Sequence, residues 1–386
     1  MTATEPTRPL TRHGLTAALL GGERLPRALH PVAWWIWALA LAVAASRTTN
    51  PLLLLLILAA LGLVVTLRRS DAPWARGYRF YLAMALSVIV IRVVFRIVFE
   101  SGTAPGDQIL FRLPSIPTPS WYAGVQIGGP VSLQAVLSAA LDGARLACLL
   151  CCIGAANTLA NPKRALRVLP GALYELGVAV TVALSVAPQL VDSAQRVRRG
   201  RRLRGSDRRG LRALRAIAVP VLHDALERSL LLAAAMDSRG YGRTGSATRA
   251  SRRVTAGLLL AGLSGLCLGA YGLLDSALPA RLPAGLAIGG FAAGAAACIA
   301  GLFLGGRRVS RSRYRPDPWG WPEYAVSACG LVGAIGLGLT AGYNPAAVNP
   351  SLSPLQWPSL PLVPTLAILA AGLAAVVAPP PPGGPR

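Results

Sequence analysis

Charge is scarce in this chain. Of 386 residues only 14% are charged and 53% are hydrophobic, with a mean hydropathy of +0.51. A soluble domain carries about 25% charged residues, so an ordinary water-soluble fold is excluded. Lysine is scarcer still: Lys163, in "ANPKRAL", stands alone among 39 basic residues. A nucleotide-binding P-loop needs a lysine within GxxxxGK[ST]. Pro162, not glycine, precedes Lys163. The P-loop is absent, and any ATP-driven work must come through a partner.

Metal and acid–base groups are equally sparse. The histidines, His13, His30 and His223, are scattered. Cys148, Cys151, Cys152, Cys267, Cys298 and Cys329 all fall in apolar segments, where thiols behave as small hydrophobes. No second CxxC and no nearby histidine completes a zinc set, so neither metal nor cofactor is expected. His223, Asp224 and Glu227 imitate an acid–base cluster but read as a solvated helix face. No serine–histidine–aspartate or zinc-helix pattern stands out. The N-terminus lacks the layout of a signal peptide and is expected in the cytoplasm. The final "APPPPGGPR" reads as a short disordered tail.

What the chain has is long apolar runs: 31–46, 51–67, 79–99, 132–158, 172–190, 254–275, 283–304, 322–343 and 360–378. Several approach the roughly 20 residues that cross a bilayer. Trp34, Trp35, Trp37, Trp319, Trp321 and Trp357 sit at predicted edges of these runs, where amphipathic rings belong. The net charge of +24 would suggest nucleic acid in a soluble protein. Here the arginines gather in loops between spans, as retention of positive charge on the cytoplasmic side predicts. The expected partner is the lipid bilayer, not nucleic acid.

Charge also orders the topology. Arg68, Arg69, Arg76 and Arg79 place one loop inside, and the loop 100–131, with Glu100, Asp107 and Arg112, falls outside. Crossing at 172–190 would put the arginine-dense stretch 195–253 outside. Without that crossing, every basic loop lies on one side. The expected architecture is an all-α polytopic membrane protein with about eight transmembrane helices. Its parts are a cytoplasmic segment (1–30), transmembrane helices (31–158), a cytoplasmic helical block (159–253), further transmembrane helices (254–378) and a tail (379–386). The apolar part of that block, near 172–190, must bury itself in the interface or against another protein.

Two long helices are predicted in the block, from about Tyr174 to Arg204 and from about Leu211 to Arg239, each about 45 Å long. In the second, Leu211, Leu214, Ile217, Leu222, Leu226 and Leu230 recur at helical spacing. Both end in Arg-Gly, in "QRVRRGRRLRG" and "AMDSRGYG". One such end is ordinary capping: Gly takes the left-handed conformation and Arg suits the helix dipole. Two, on successive helices, suit a partner with two similar grooves, where arginine makes paired hydrogen bonds to carboxylates.

The stretch 171–243 resembles the transmembrane T component of energy-coupling factor transporters, the group that includes CbiQ-like proteins. That family carries two Ala-Arg-Gly-type motifs at the ends of crossed cytoplasmic coupling helices, the second typically followed by Tyr. Here the second motif is Ser238-Arg239-Gly240-Tyr241. For the first, Pro188 favours Leu203-Arg204-Gly205, with Arg199-Gly200 as the alternative register. Leu203 and Ser238 stand where the family has alanine. The resemblance is specific over about 155–243 and weak beyond 254. It implies a non-catalytic inner-membrane subunit with both termini cytoplasmic. Such a subunit holds a membrane-embedded substrate-binding S component, for a vitamin or transition-metal ion. It docks two ATP-hydrolysing subunits, different or two copies of one, and Arg204 and Arg239 would meet their acidic grooves.

Charges inside spans are costly and usually paired. Arg92 and Arg96 in one run and Asp142 and Arg145 in another read as a structural ion pair, Arg92 with Asp142. The alternative is a stand-alone permease or membrane enzyme using these four residues. Gly265 and Gly269, Gly285 and Gly289, and Gly290 and Gly294 have the small-xxx-small spacing of close helix packing.

Overall fold

The computed structural model describes residues 28–70, 77–99, 107–116, 127–168, 173–205, 211–240, 249–274, 284–306 and 319–380. The readings made above for residues 1–27, for Tyr241 and for the tail from 381 lie outside the described residues. In chain order the elements are α1 (Pro31–Ser46), α2 (Pro51–Arg68), α3 (Tyr78–Phe99), β1 (Ile109–Ile116), β2 (Ile127–Ser132), α4 (Leu133–Leu159) and α5 (Pro162–Arg167). Then come α6 (Tyr174–Leu203), α7 (Leu211–Ser238), α8 (Arg249–Leu274), α9 (Ala284–Gly306), α10 (Trp321–Tyr343), α11 (Pro345–Val348), α12 (Leu362–Gly372) and α13 (Ala374–Val377). Among the described residues, seven helical stretches are long and apolar enough to cross a membrane: α2, α3, α4, α10, Leu176–Leu203 of α6, Arg253–Gly272 of α8 and Gly285–Gly306 of α9. α1 and the α12–α13 stretch are shorter and apolar. The protein is an all-α polytopic membrane protein carrying one small hairpin.

Two units divide the chain, residues 1–165 with 316–386, and residues 166–315. In the first, polar caps start the helices. Asn50 Oδ1 accepts from Leu52 N at 3.0 Å ahead of Pro51, and Ser132 Oγ accepts from Ala135 N at 3.2 Å. Proline costs nothing in a first turn, whose N–H groups have no helical partner. The core forms where α1, α2, α4, α10 and α12 pack together, burying Trp37, Leu41, Leu53, Ile57, Leu61, Leu337 and Ile368 completely. α3 packs on α4 and leaves Phe80, Leu86, Ile91 and Phe95 exposed, as a lipid-facing helix does.

Trp34 and Trp37, near the start of α1, are also core residues, and Trp37 Nε1 donates to Ala371 O at 3.0 Å. A carbonyl for the indole N–H lets the ring go inside. Trp321 and Trp357 are exposed.

Long-range hydrogen bonds sort this unit into two ends. At one, the Glu323 carboxylate accepts from Gly320 N (3.0 Å) and His30 N (3.3 Å), joining the starts of α10 and α1. Arg164 Nη1 donates to Ala28 O at 3.0 Å there. The short turn after α1 returns α2 to this end, where Arg68 Nε donates to Ala375 O at 2.6 Å. At the other end, Thr48 Oγ1 donates to Val348 O (2.7 Å), and Asn50 Nδ2 donates to Ala347 O (3.1 Å) and Ser359 O (2.7 Å).

One element was not anticipated. β1 and β2 form an antiparallel hairpin, with Phe111 opposite Val131 and Leu113 opposite Gly129. Helical periodicity does not reveal short strands rich in β-branched and aromatic residues. Pro130 is tolerated because a two-stranded ribbon has open edges.

In the second unit, α8 and α9 pack closely. A Cβ on Gly294 would stand 2.5 Å from Leu266 N, and one on Gly265 would stand 3.0 Å from Gly294 Cα. Only glycine permits that approach. Gly285 and Gly289 have nothing within 4 Å of the same position, while Gly290 enters this contact through its carbonyl, 3.4 Å from a Cβ on Gly265.

Candidate functional site

The two Arg-Gly ends are built alike. α6 runs unbroken through Pro188 and Gly200 to Leu203. There Arg204 N donates to Arg201 O at 3.2 Å and Gly205 N to Arg202 O at 3.1 Å. At the end of α7, Arg239 N donates to Met236 O at 3.1 Å and Gly240 N to Asp237 O at 2.9 Å. The tightened last turn satisfies carbonyls that would otherwise lack partners. Gly205 (φ +64°) and Gly240 (φ +75°) then turn the chain in the left-handed region, which costs a residue with a Cβ about 1–2 kcal/mol. Of the two registers left open, Arg204-Gly205 ends a helix as Arg239-Gly240 does, whereas Arg199-Gly200 lies inside α6. Arg204, Gly205, Arg239 and Gly240 are all exposed, and Leu203 is 90% exposed.

Among the described residues, one polar contact links the two helices. The buried Ser193 Oγ donates to Asp224 Oδ2 at 2.7 Å, and Arg228 Nε donates to Asp224 Oδ1 at 3.0 Å. The Ser193 bond, followed by the Arg228 and Arg196 charges, holds the Asp224 carboxyl below its ordinary value. Asp224 thus ties the two helices together from a face that His223 and Glu227 keep exposed. Ser193 was missed because nothing in a single sequence pairs it with a residue on another helix. From this contact Arg204 lies about 16 Å along α6 and Arg239 about 22 Å along α7. Elsewhere both helices expose apolar side chains: Leu176, Val180 and Leu184 on α6, and Leu214, Leu222, Leu226 and Leu230 on α7. Exposed apolar surface of this extent marks contact with lipid or another protein.

The intramembrane charges separate. Arg92 Nη2 and Asp142 Oδ2 lie 3.8 Å apart, with side chains 53% and 47% exposed. With Arg96, Phe95, Phe99 and Ser138 they line a cavity of about 130 Å³ between α3 and α4. Arg145 is not with them, because its Nη2 donates to Ser46 O on α1. Among the described residues no group of three or more His, Cys, Asp or Glu could hold a metal ion.

Apolar spans and two long helices with exposed arginine tips define a polytopic membrane protein. The family model CbiQ, described as cobalt transport protein, matches residues 22–249. That is more than half of the chain, and the chain belongs to the CbiQ family of transport-system membrane components. No curated protein matches it. The match contains both Arg-Gly ends and stops at the first residue of α8, so the remaining helices lie beyond it.

Proposed function

We propose that the chain is the T component of an energy-coupling factor importer, linking ATP hydrolysis in partner subunits to substrate uptake through an S component. Residues 159–253 form its cytoplasmic coupling block. By length and composition α6 could cross a bilayer, but a crossing would send the arginine-dense stretch after it to the outside, against the charge bias. On this reading Arg204 and Arg239 reach into acidic grooves of two ATPase subunits, or of two copies of one. Gly205 and Gly240 keep the helix ends tight, with Tyr241 beside the second. The exposed apolar part of α6 lies in the membrane interface and presses there on the S component. With no P-loop of its own, the chain transmits motion and does not hydrolyse ATP. The family description points to cobalt as cargo; the wider range is a transition-metal ion or a vitamin, selected by the S component.

The observation that carries this reading is the shared geometry of two exposed Arg-Gly ends on tied helices. Its test is copurification. Truncating one desolvated, charge-assisted contact costs about 2–5 kcal/mol. Arg204→Ala with Arg239→Ala should abolish recovery of the ATPases while the protein still inserts. Undiminished recovery would overturn the assignment. The stand-alone permease reading has the cavity at Arg92, Arg96 and Asp142 in its favour, though Arg145 is engaged elsewhere. Transport by the purified chain alone in liposomes would favour it.

A further inference from the structure

Before its tip, the last turns of α6 carry a cationic face that the ATPase reading does not use. Gln195, Arg198, Arg199 and Arg202 stand at i, i+3, i+4 and i+7, one side of a helix, and line a surface groove of about 340 Å³. All three arginines are exposed. Arg199 Nε donates to its own helix, to Gln195 O at 3.4 Å. Among the described residues no carboxylate pairs with Arg198, Arg199 or Arg202. Asp224, the carboxylate that α7 brings to α6, is already held by Ser193 and Arg228. Like charges at this spacing repel, so the face suits a ligand with several negative oxygens.

The rest of α6 indicates which ligand. The same helix exposes Leu176, Val180 and Leu184 in its first half. An apolar stretch continuous with a basic face fits the boundary between acyl chains and anionic headgroups. The chain sits in a bilayer, so such headgroups are its nearest and most concentrated anions. We infer that Arg198, Arg199 and Arg202 form a phosphate-binding face for anionic phospholipid, which holds the end of α6 against the membrane surface. The inference does not depend on ATPase docking by Arg204.

The test uses the full-length protein in detergent, titrated with phosphatidylglycerol or phosphatidylcholine, with retained lipid counted by native mass spectrometry. Wild type should retain phosphatidylglycerol in preference to phosphatidylcholine. Each guanidinium near an anionic surface contributes about fivefold, so Arg198→Gln with Arg202→Gln should weaken retention about thirtyfold at low salt. The Arg198→Lys, Arg202→Lys pair keeps the charge and should keep most of the binding, which separates a charge effect from misfolding. Equal retention by wild type and the Gln pair would overturn the inference. So would displacement of the lipid by inorganic phosphate at equal concentration, which would reassign the face to a soluble anion. Loss of ATPase copurification in the Gln pair would also overturn it, by giving the face to the motor subunits.

Discussion

Glu323 offers a sharp test of how the first unit is held together. It is fully buried, and its two oxygens accept from Gly320 N and His30 N at 3.0 and 3.3 Å. It thereby caps α10 and fastens α10 to the start of α1. Glu323→Ala strands the buried His30 N–H and removes the cap from the part-buried Gly320 N–H. A buried donor left without a partner costs about 1–3 kcal/mol and a lost helix cap about 1 kcal/mol, so the pair should cost about 2–4 kcal/mol. At about 2–4 °C per kcal/mol for a unit of this size, the melting temperature should fall by about 4–16 °C. Glu323→Gln keeps one acceptor but turns an amide N–H toward the second donor, and should cost about half as much. A thiol-reactive dye suits the assay, because Cys148, Cys151 and Cys152 are buried in this core and react on unfolding. An unchanged melting curve for Glu323→Ala would show that water or another group satisfies those donors and would refute the reasoning.

Glycine substitutions separate the two registers of the first motif. Gly205→Val and Gly240→Val force a β-branched residue to positive φ, costing at least about 1–2 kcal/mol, and should disorder the tips and reduce ATPase recovery. Gly200→Ala sits inside α6 with open space around its Cβ and should stabilise the helix by about 1 kcal/mol, with recovery unchanged. The Ser193–Asp224 tie should be pH-sensitive, because the folded carboxyl titrates below its ordinary value. The tie is at full strength above the ordinary Asp range and fades as pH falls through the lowered value. Spin labels at the two tips should report a broader distance distribution in acid, and Ser193→Ala should give that broad distribution already at neutral pH. Single cysteines replacing Arg204 or Arg239 should resist a membrane-impermeant thiol reagent until cells are opened.

The helices were legible because each carries its own signal. Proline at the start of α1 and α2, apolar runs of spanning length and Arg-Gly endings bracket most elements to within a few residues. The family was legible in the short stretch around Arg239, and the family model reaches the same answer over residues 22–249. What stayed hidden was pairing across the sequence. Nothing local says that Trp37 bonds Ala371, that Glu323 caps His30, or that Ser193 meets Asp224, since each contact joins helices distant in the chain. Arg145 shows the same limit: spacing places it beside Asp142, while the fold turns it toward Ser46. The β1–β2 hairpin stayed hidden because its two short strands, broken by Pro114 and by Gly128-Gly129-Pro130, carry no clean alternation of apolar and polar residues.

The central claim is that both Arg-Gly tips grip separate ATP-hydrolysing subunits in the cytosol. Photo-crosslinking amino acids placed at 204 and 239, in the intact complex within cells, test it most directly. The account predicts a crosslink to an ATPase subunit from each position, lost when the ATPases are deleted. Crosslinks from neither position, with the complex otherwise assembled, would contradict it.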